Sequence, residues 1–193
     1  MKWYALHVET GKEDFVRSEI RKQFDPSTIL SIVPKRKLIE RKQGVIYEKC
    51  RTLFPGYVFI KARMNVKTYH DLKKIPRYYK LLNNFRYDDC DPIRYDDTTH
   101  ETEDPQTELF SQIDEKEMAL IIQLIDHDEI ISYSSIYVEN AKVKVYKGPL
   151  KGKEAMIKKI DKRKKRARIV LDFLGKQTGI DVGIEVLSPY VCD

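Results

Sequence analysis

The start of the chain shows hydrophobic spacings typical first of a strand and then of a helix. Residues 3–9 alternate between apolar and polar positions, which predicts a half-buried strand. The spacing of Thr10 and Glu13 matches a capping box, in which each side chain satisfies an exposed amide at the start of a helix. The predicted helix ends at Asp25-Pro26. Its apolar face comprises Phe15, Val16, Ile20 and Phe24.

Three further strands and a second helix follow. Strand-like segments span 28–41, 45–50 and 56–62. Asn65 is a suitable N-cap for a short helix that Pro76 ends. The inward positions of this helix are Val66, Tyr69, Leu72 and Ile75. The order strand, helix, three strands, helix predicts an α+β fold.

The middle of the chain has a different character. Residues 86–112 lack periodicity and are rich in Asp, Glu and Thr, so we interpret them as a loop or partly disordered acidic insert. A third helix is predicted to start near Ser111 or Asp114 and to run to about Asp126. Its apolar side comprises Met118, Ile121, Ile122 and Ile125. Residues 127–140 form a connector whose run IISYSSIYV is itself compatible with an extended strand.

The C-terminal part of the chain contains short strand-like segments separated by turns. These segments are residues 142–146, 153–160, 166–173, 179–181 and 183–187. Five strands in so short a stretch predict a small closed barrel, because closure removes the exposed edges of a small sheet. We therefore expect a first domain over residues 1–126, a linker over 127–140 and a barrel domain over 141–193.

The formal net charge of +6 conceals a strong asymmetry along the chain. Residues 1–85 carry 19 basic and 8 acidic side chains, residues 86–138 carry 3 and 15, and residues 139–193 carry 14 and 7. Two basic regions separated by an acidic one indicate distinct surfaces for distinct partners. Such asymmetry is typical of proteins that contact nucleic acid.

The densest group of cations is the run KKIDKRKKRAR, residues 158–168, in which eight of eleven positions are Lys or Arg. Alternating apolar residues on both sides make residues 161–165 the tip of a β-hairpin and not a tail. Because crowded cations repel one another, phosphate is the natural counter-charge, although a merely solvated tip is the alternative. The candidate nucleic-acid-binding residues are Lys158, Lys159, Lys162, Arg163, Lys164, Lys165, Arg166 and Arg168. The family resemblance given below implies that they bind RNA.

Several functional classes find no support in the sequence. The three cysteines never form a C-x-x-C pair and the four histidines are scattered, so neither a metal nor a cofactor is expected. There is no phosphate loop and no pattern of a nucleophile with its base, so we do not expect an enzyme. The apolar runs are too short to span a bilayer, and the N-terminus lacks signal features, which predicts a cytoplasmic protein.

Two regions of the chain resemble a known family. The segment AKVKVYKGPLKGKEAMIKKIDKRKKRARIVLDFLG is similar to a KOW motif, in which GPLKG joins the first two strands of a small SH3-like barrel. The segments WYALHVETGKEDFV and LFPGYVFI resemble the NGN domain of the NusG family of transcription elongation factors. The resemblance implies an antiparallel sheet flanked by helices, followed by the barrel, and RNA polymerase as a partner. We expect a monomer.

The resemblance also implies roles for individual residues. NGN domains bind the clamp helices of the polymerase through an apolar pocket, and the matching residues here are Trp3, His7, Phe54, Tyr57 and Phe59. A core position is the alternative interpretation for Trp3 and Phe54, whereas strand alternation puts Tyr57 and Phe59 on one face. The basic residues implied to approach the non-template DNA strand are Lys35, Arg36, Lys37, Arg41 and Lys42.

One departure from the general family pattern indicates a subtype. General members have an aromatic residue that binds a ribosomal protein or Rho, where this chain has Leu174 before Gly175. With the basic tip and the acidic insert, this makes the chain most similar to LoaP, the specialised antiterminator branch of the family. The resemblance implies a processive antiterminator that recognises a hairpin in a leader RNA. The alternatives are a general NusG factor that couples polymerase to the ribosome or Rho, and a KOW-type RNA- or ribosome-binding module.

Overall fold

The computed structural model describes residues 1–82, 110–139 and 142–187. The predicted acidic insert, residues 86–112, therefore lies outside the described residues except for its last three positions. Within the described part of the chain, no helix is long and apolar enough to cross a bilayer.

The elements follow one another along the chain in the order β1 (Lys2–Val8), α1 (Glu13–Gln23), β2 (Ile29–Ile32), β3 (Lys35–Lys42), β4 (Val45–Thr52), β5 (Tyr57–Ala62), α2 (Val66–Lys73), β6 (Tyr78–Leu81), α3 (Glu115–Leu124), β7 (Ile130–Ile131), β8 (Ser134–Glu139), β9 (Lys142–Lys147), β10 (Ile157–Asp161), β11 (Arg166–Phe173) and β12 (Lys176–Val186). This sheet-rich mixture of strands and helices agrees with the predicted α+β class.

The chain divides into two units. Unit 1 consists of Met1–Ile32 and Pro55–Ile113, and unit 2 consists of Val33–Phe54 and Asp114–Asp193. Unit 2 thus combines an early hairpin with the C-terminal strands, whereas the sequence predicted two domains joined by a linker at residues 127–140. Those domain boundaries stay a prediction.

Unit 1 is built on a four-stranded antiparallel sheet with the order β2-β5-β1-β6. The central strand β1 was predicted to be half-buried, yet its four consecutive residues Trp3 to Leu6 are all buried. A strand with a neighbour on each side and both faces covered needs no polar face, so alternation underestimates its burial.

The first helix confirms the predicted element but not its start or its whole apolar face. Val16 and Ile20 are buried, whereas Phe15 is 44% exposed. Lys12 occupies the N-cap position and makes no side-chain capping bond, so the predicted capping box is absent. The Glu13 carboxylate instead accepts hydrogen bonds from the amides of Gly11 and Gly56.

The other two helices begin at the predicted caps. The Asn65 side chain accepts a hydrogen bond from the Thr68 amide at 2.8 Å, and the Asp114 side chain accepts one from the Lys116 amide at 2.7 Å. The buried face of α3 comprises Met118, Ile121 and Leu124. Ile122, predicted to face inward, is 43% exposed because the contact stripe passes through Leu124 instead.

Unit 2 contains two sheets. The smaller sheet has the order β4-β3-β7, and its β3–β4 hairpin closes with a two-residue turn at Gln43-Gly44. Both turn residues have positive φ, the backbone geometry of a tight hairpin connection. The larger sheet has the order β10-β11-β12-β8-β9.

The larger sheet differs from the predicted barrel strands in three places. A single strand, β12, replaces the two strands expected at 179–181 and 183–187, because its pairing with β11 continues through Gly183. The predicted connector contributes β8, which pairs parallel to β12 and antiparallel to β9. A 3-10 turn at Glu154–Met156 occupies the start of the segment expected to be one strand from 153 to 160.

Strand β11 follows the predicted alternation. Ala167, Ile169 and Leu171 are buried, while Arg168 between them is exposed. The buried side chains pack in the core of unit 2 together with Ile180 of β12. The closed form of the barrel stays a prediction.

Candidate nucleic-acid interface

The basic hairpin tip is an ordered four-residue loop between β10 and β11. The last paired residues on either side are Asp161 and Arg166. The Asp161 carboxylate accepts a hydrogen bond from the Lys164 amide at 2.8 Å, and the Ile184 amide donates to the Lys165 carbonyl at 3.0 Å. The predicted hairpin is therefore confirmed, and hydrogen bonds hold its tip to Asp161 at its base and to Ile184 of β12.

The cations of this hairpin point mostly into solvent. Lys158, Lys159 and Arg168 are exposed, as are the loop residues Lys162 to Lys165, while Arg166 is half-buried. Exposed lysines on a fixed backbone are suited to neutralising phosphates, with an affinity that falls as salt rises. We call Lys162, Arg163, Lys164 and Lys165 the basic tip.

Three arginine side chains meet beside β12 in unit 2. Arg36 of β3 donates from Nη1 to the Asp181 carbonyl at 2.9 Å, and Arg168 of β11 donates from Nη1 to the Asp181 carboxylate at 3.4 Å. Arg166 donates from Nη2 to the Ile39 carbonyl at 3.3 Å. We call Arg36, Arg166, Arg168 and Asp181 the arginine cluster.

The three arginines of the cluster carry more positive charge than Asp181 alone neutralises, and two of their N–H groups make no hydrogen bond. The Nε atoms of Arg36 and Arg166 are buried without a hydrogen-bond partner. Burial lowers the pKa of the Arg36 guanidinium; Asp181 opposes this shift, and Arg166, Arg168 and Arg51 add to it. Only Arg168 bonds the Asp181 carboxylate, while Arg36 and Arg166 bond backbone carbonyls, so the three guanidiniums form a cationic surface suited to a further anion such as phosphate.

Gly179 allows the Arg168 side chain to lie close against the backbone of β12. A Cβ atom at position 179 would come 3.0 Å from Nε and 3.1 Å from Nη2 of Arg168. Any larger residue at this position would displace the guanidinium. The glycine therefore fixes where one charge of the cluster lies.

The structure divides the five β3 cations that were predicted to approach DNA. Lys35 and Lys37 are half-buried, and Arg41 and Lys42 are exposed next to the hairpin turn. Arg36 instead lies with the two β11 arginines that were predicted to bind RNA. Sequence reasoning assigned these residues to two separate surfaces, and the structure brings part of each set together.

In unit 1, two of the predicted polymerase-binding residues meet a third aromatic side chain. The ring of His7 lies 5.5 Å from that of Tyr57 and 5.4 Å from that of Tyr79, measured between centroids. Tyr79 is 58% exposed, and the other two are half-buried. We call His7, Tyr57 and Tyr79 the aromatic trio. Tyr79 was missed because nothing in the sequence reveals that β6 pairs with β1.

The remaining three predicted polymerase-binding residues lie in the interior. Trp3 and Phe59 are buried in unit 1, and Phe54 is buried in unit 2. Phe54 stacks on Phe173 at a centroid distance of 4.4 Å and an interplanar angle of 26°. Their aromatic character thus serves packing in this structure, which matches the alternative interpretation stated for Trp3 and Phe54.

A buried carboxylate organises the start of the LFPGYVFI strand. Glu13, 4% exposed, accepts hydrogen bonds from the Gly11 amide at 2.9 Å and from the Gly56 amide at 2.7 Å. Gly56 has φ of +83°, and a Cβ there would lie 3.2 Å from the Thr10 hydroxyl. Glu13 therefore connects the start of α1 to the turn before β5 and sets the direction from which Tyr57 leaves the turn.

The predicted Leu174 position is the first residue of the two-residue turn between β11 and β12. Leu174 and Gly175 have φ of +52° and +68°, and Leu174 is 39% exposed. Its amide donates to the Glu117 carboxylate of α3 at 2.9 Å. A bulky aliphatic residue in this left-handed conformation is uncommon, and the hydrogen bond helps to hold it there.

Together these features define a two-unit α+β protein with a cationic hairpin and an exposed aromatic group. Residues 1–100 match the family model described as "Transcription termination factor nusG". The chain belongs to the NusG family, and it is a NusG-type transcription termination/antitermination factor.

Curated relatives match over nearly their whole length. The chain is 21% identical over 188 residues to the transcription termination/antitermination protein NusG of Helicobacter pylori, with 94% of each chain covered. It is 20% identical over 186 residues to that of Pseudomonas aeruginosa, again with 94% of each covered. A solved structure titled "Domain interaction in Thermotoga maritima NusG" matches with a TM-score of 0.50 and 18% identity, covering 94% of this chain and 93% of the other. That structural likeness supports the fold.

Proposed function

We propose that this protein is a processive antiterminator of the LoaP type. In this proposal an NGN domain binds the clamp helices of RNA polymerase, and a KOW barrel binds a structured hairpin in the leader RNA. The observation that carries the proposal is the basic tip: four consecutive exposed cations in a hairpin loop whose backbone is hydrogen-bonded to Asp161 and to Ile184. Structured RNA is recognised mainly through its shape and its phosphate and 2′-hydroxyl groups, which favours a rigid cationic surface over a flexible tail.

The arginine cluster extends this proposed RNA surface along β11. Its guanidiniums can form paired hydrogen bonds with phosphate oxygens, which lysines cannot do. In the proposal, the basic tip attracts the RNA from a distance and the arginine cluster fixes its backbone. Arg41 and Lys42, exposed at the β3–β4 turn, are the candidates for contact with the non-template DNA strand.

The aromatic trio is the proposed anchor on the polymerase. Tyr57 and Tyr79 offer aromatic surface beside the half-buried His7. A helical partner would cover such side chains and gain free energy from the removal of apolar area from water. Changing Tyr57 and Tyr79 to Ser should weaken retention by immobilised clamp helices. Unchanged retention would leave an RNA- or ribosome-binding module as the better description.

The main test is a gel-shift titration at moderate salt with a candidate leader hairpin and the full-length protein. Changing all four residues of the basic tip to Gln should abolish hairpin binding while polymerase binding persists. The matched control changes Lys22 and Lys74, two exposed lysines of unit 1, to Gln. RNA affinity that the tip variant leaves unchanged would refute the assignment.

A general NusG role is the second candidate, because full-length relatives carry the name termination/antitermination protein NusG. Crosslinking and sequencing of bound transcripts in cells separates the two candidates. One dominant leader hairpin supports the specialised role, whereas occupancy of most transcripts supports the general one. Capture of Rho or a ribosomal protein by the full-length chain would also favour the general role.

A further inference from the structure

A pair of tyrosines to which no role has been assigned so far lies on the outward face of the β8–β9 hairpin. The rings of Tyr137 and Tyr146 are 6.1 Å apart between centroids and nearly perpendicular, at 80°. Tyr146 is 62% exposed and Tyr137 is half-buried. Edge-to-face contact fixes each ring relative to the other, so the pair presents an aromatic surface that is ordered before any ligand arrives.

The local sheet geometry explains why both rings point outward. Ile136 and Val145, which pair with one another, are buried in the core of unit 2. Alternation then sends Tyr137 to the opposite face. The register shifts between Ser135 and Ile136, which leaves Tyr146 as an extra residue on β9 and turns its ring toward Tyr137.

Two exposed lysines lie beside this aromatic pair. Lys144 pairs directly with Tyr137, Lys147 pairs with Ser135, and both lysines are exposed. Two described acids also lie at this hairpin: the Glu185 carboxylate accepts a hydrogen bond from the Ser135 hydroxyl at 3.3 Å, and the Glu154 carboxylate accepts one from the Val145 amide at 3.4 Å. Aromatic rings beside lysines are the combination that binds single-stranded nucleic acid, because bases stack on the rings and phosphates pair with the cations.

We propose that Tyr137 and Tyr146, with Lys144 and Lys147, bind unpaired nucleotides of single-stranded RNA. The exposed face of Tyr146 stacks on one base, and the two lysines contact the adjoining phosphates. This subsite rests on the proposed RNA-binding function and adds a second element to it: the basic tip holds the paired stem, and the tyrosine pair holds the strand that leaves it.

The sheet places the two sites within reach of one RNA. Four strand spacings, each about 4.8 Å, separate β10 from β9 along the order β10-β11-β12-β8-β9, so the distance across the strands is roughly 20 Å. A strand of about eight nucleotides covers this distance even at a stacked rise of about 3.4 Å each. Unpaired nucleotides next to a hairpin stem therefore suffice.

The experiment compares two RNA probes on the full-length protein: a blunt hairpin, and the same hairpin with a tail of about eight unpaired nucleotides carrying 2-aminopurine. We expect the tail to raise the affinity of the wild-type protein by about tenfold, and 2-aminopurine fluorescence to fall on binding as the base stacks. The double substitution Tyr137→Leu with Tyr146→Leu should remove both effects and leave blunt-hairpin affinity unchanged. Tyr137→Phe with Tyr146→Phe should keep both, since phenylalanine also stacks.

The outcomes separate this inference from the proposed function. A basic-tip variant that binds the blunt hairpin as tightly as the wild type contradicts the proposed function, while the fluorescence of the tail still reports on the tyrosine pair. An equal tail effect in the Leu and wild-type proteins overturns the inference, because the tail would then bind elsewhere. Blunt-hairpin affinity that falls only in the Leu variant also overturns it, since the tyrosines would then support the sheet.

Discussion

The basic tip and the arginine cluster are both cationic, and two of the three clustered arginines lie on the same hairpin as the tip, yet the two regions are built differently. The tip residues are exposed, and only the backbone of their loop is held in place. The arginines of the cluster use side-chain donors on backbone carbonyls and on Asp181, and Arg36 and Arg166 are half-buried. The charged groups of the tip are therefore exposed to water, whereas the guanidiniums of the cluster are already oriented before RNA binds. The first arrangement favours long-range attraction and the second favours a defined contact.

The salt dependence of RNA binding should expose the role of the basic tip most clearly. With Lys162, Arg163, Lys164 and Lys165 changed to Gln, the slope of log affinity against log salt should become shallower by about three units, because up to four phosphate contacts are lost. Fluorescence anisotropy of a labelled hairpin measures this slope over a series of low salt concentrations, at which the variant retains weak binding through the arginine cluster. A parallel shift of the line without a change of slope would mean that the tip does not contact phosphate.

Replacement of Arg36 by Lys should show that the cluster depends on shape as well as charge. Lysine keeps the charge but loses the planar group that reaches the Asp181 carbonyl, so we expect RNA affinity to fall by about tenfold. The matched change at the tip, Arg163→Lys, should alter affinity by less than about twofold because that side chain is exposed. Equal effects at both positions would remove the distinction between the two regions.

The substitution Asp181→Asn should act on the cluster in the opposite direction. Without the carboxylate, Arg168 loses its acidic partner and Arg36 loses a nearby negative charge, so RNA affinity should rise by about threefold while the free energy of unfolding falls by about 0.5–1 kcal/mol. Anisotropy and denaturant titration measure the two effects on the same protein. An unchanged affinity would show that RNA phosphates do not reach the cluster.

The smallest expected effect is that of Gly179→Ala. The added methyl group would meet the Arg168 guanidinium at 3.0 Å and displace it, which should lower RNA affinity by about twofold. In a protein that already carries Arg168→Gln, the same glycine substitution should have no further effect on affinity. Additive losses in the double variant would mean that the glycine acts through the strand and not through the arginine.

Local patterns predicted the elements and the hairpin, because alternation on β11 and the caps at Asn65 and Asp114 depend on nearby residues. The arginine cluster could not be predicted in the same way. Arg36 and Asp181 are 145 residues apart in sequence, and no local spacing reports that their strands lie side by side. Glu13 shows the same limit, since its carboxylate bonds the Gly56 amide, 43 residues away, in addition to the local Gly11 amide, and its spacing indicated only a local bond. Such contacts depend on which distant segments of the chain come together in the fold, and local sequence patterns do not show this.

Backbone hydrogen bonds hold the basic tip in place, and this determines which of its side chains can be substituted. The loop between Asp161 and Arg166 is closed by the β10–β11 register at its base and by the Ile184 amide on the Lys165 carbonyl. Both attachments use backbone atoms, so the side chains of Lys162, Arg163 and Lys164 can be exchanged without removing either of them. The loop is therefore an interchangeable cassette, in which libraries of sequences can be screened for new RNA targets on an unchanged scaffold.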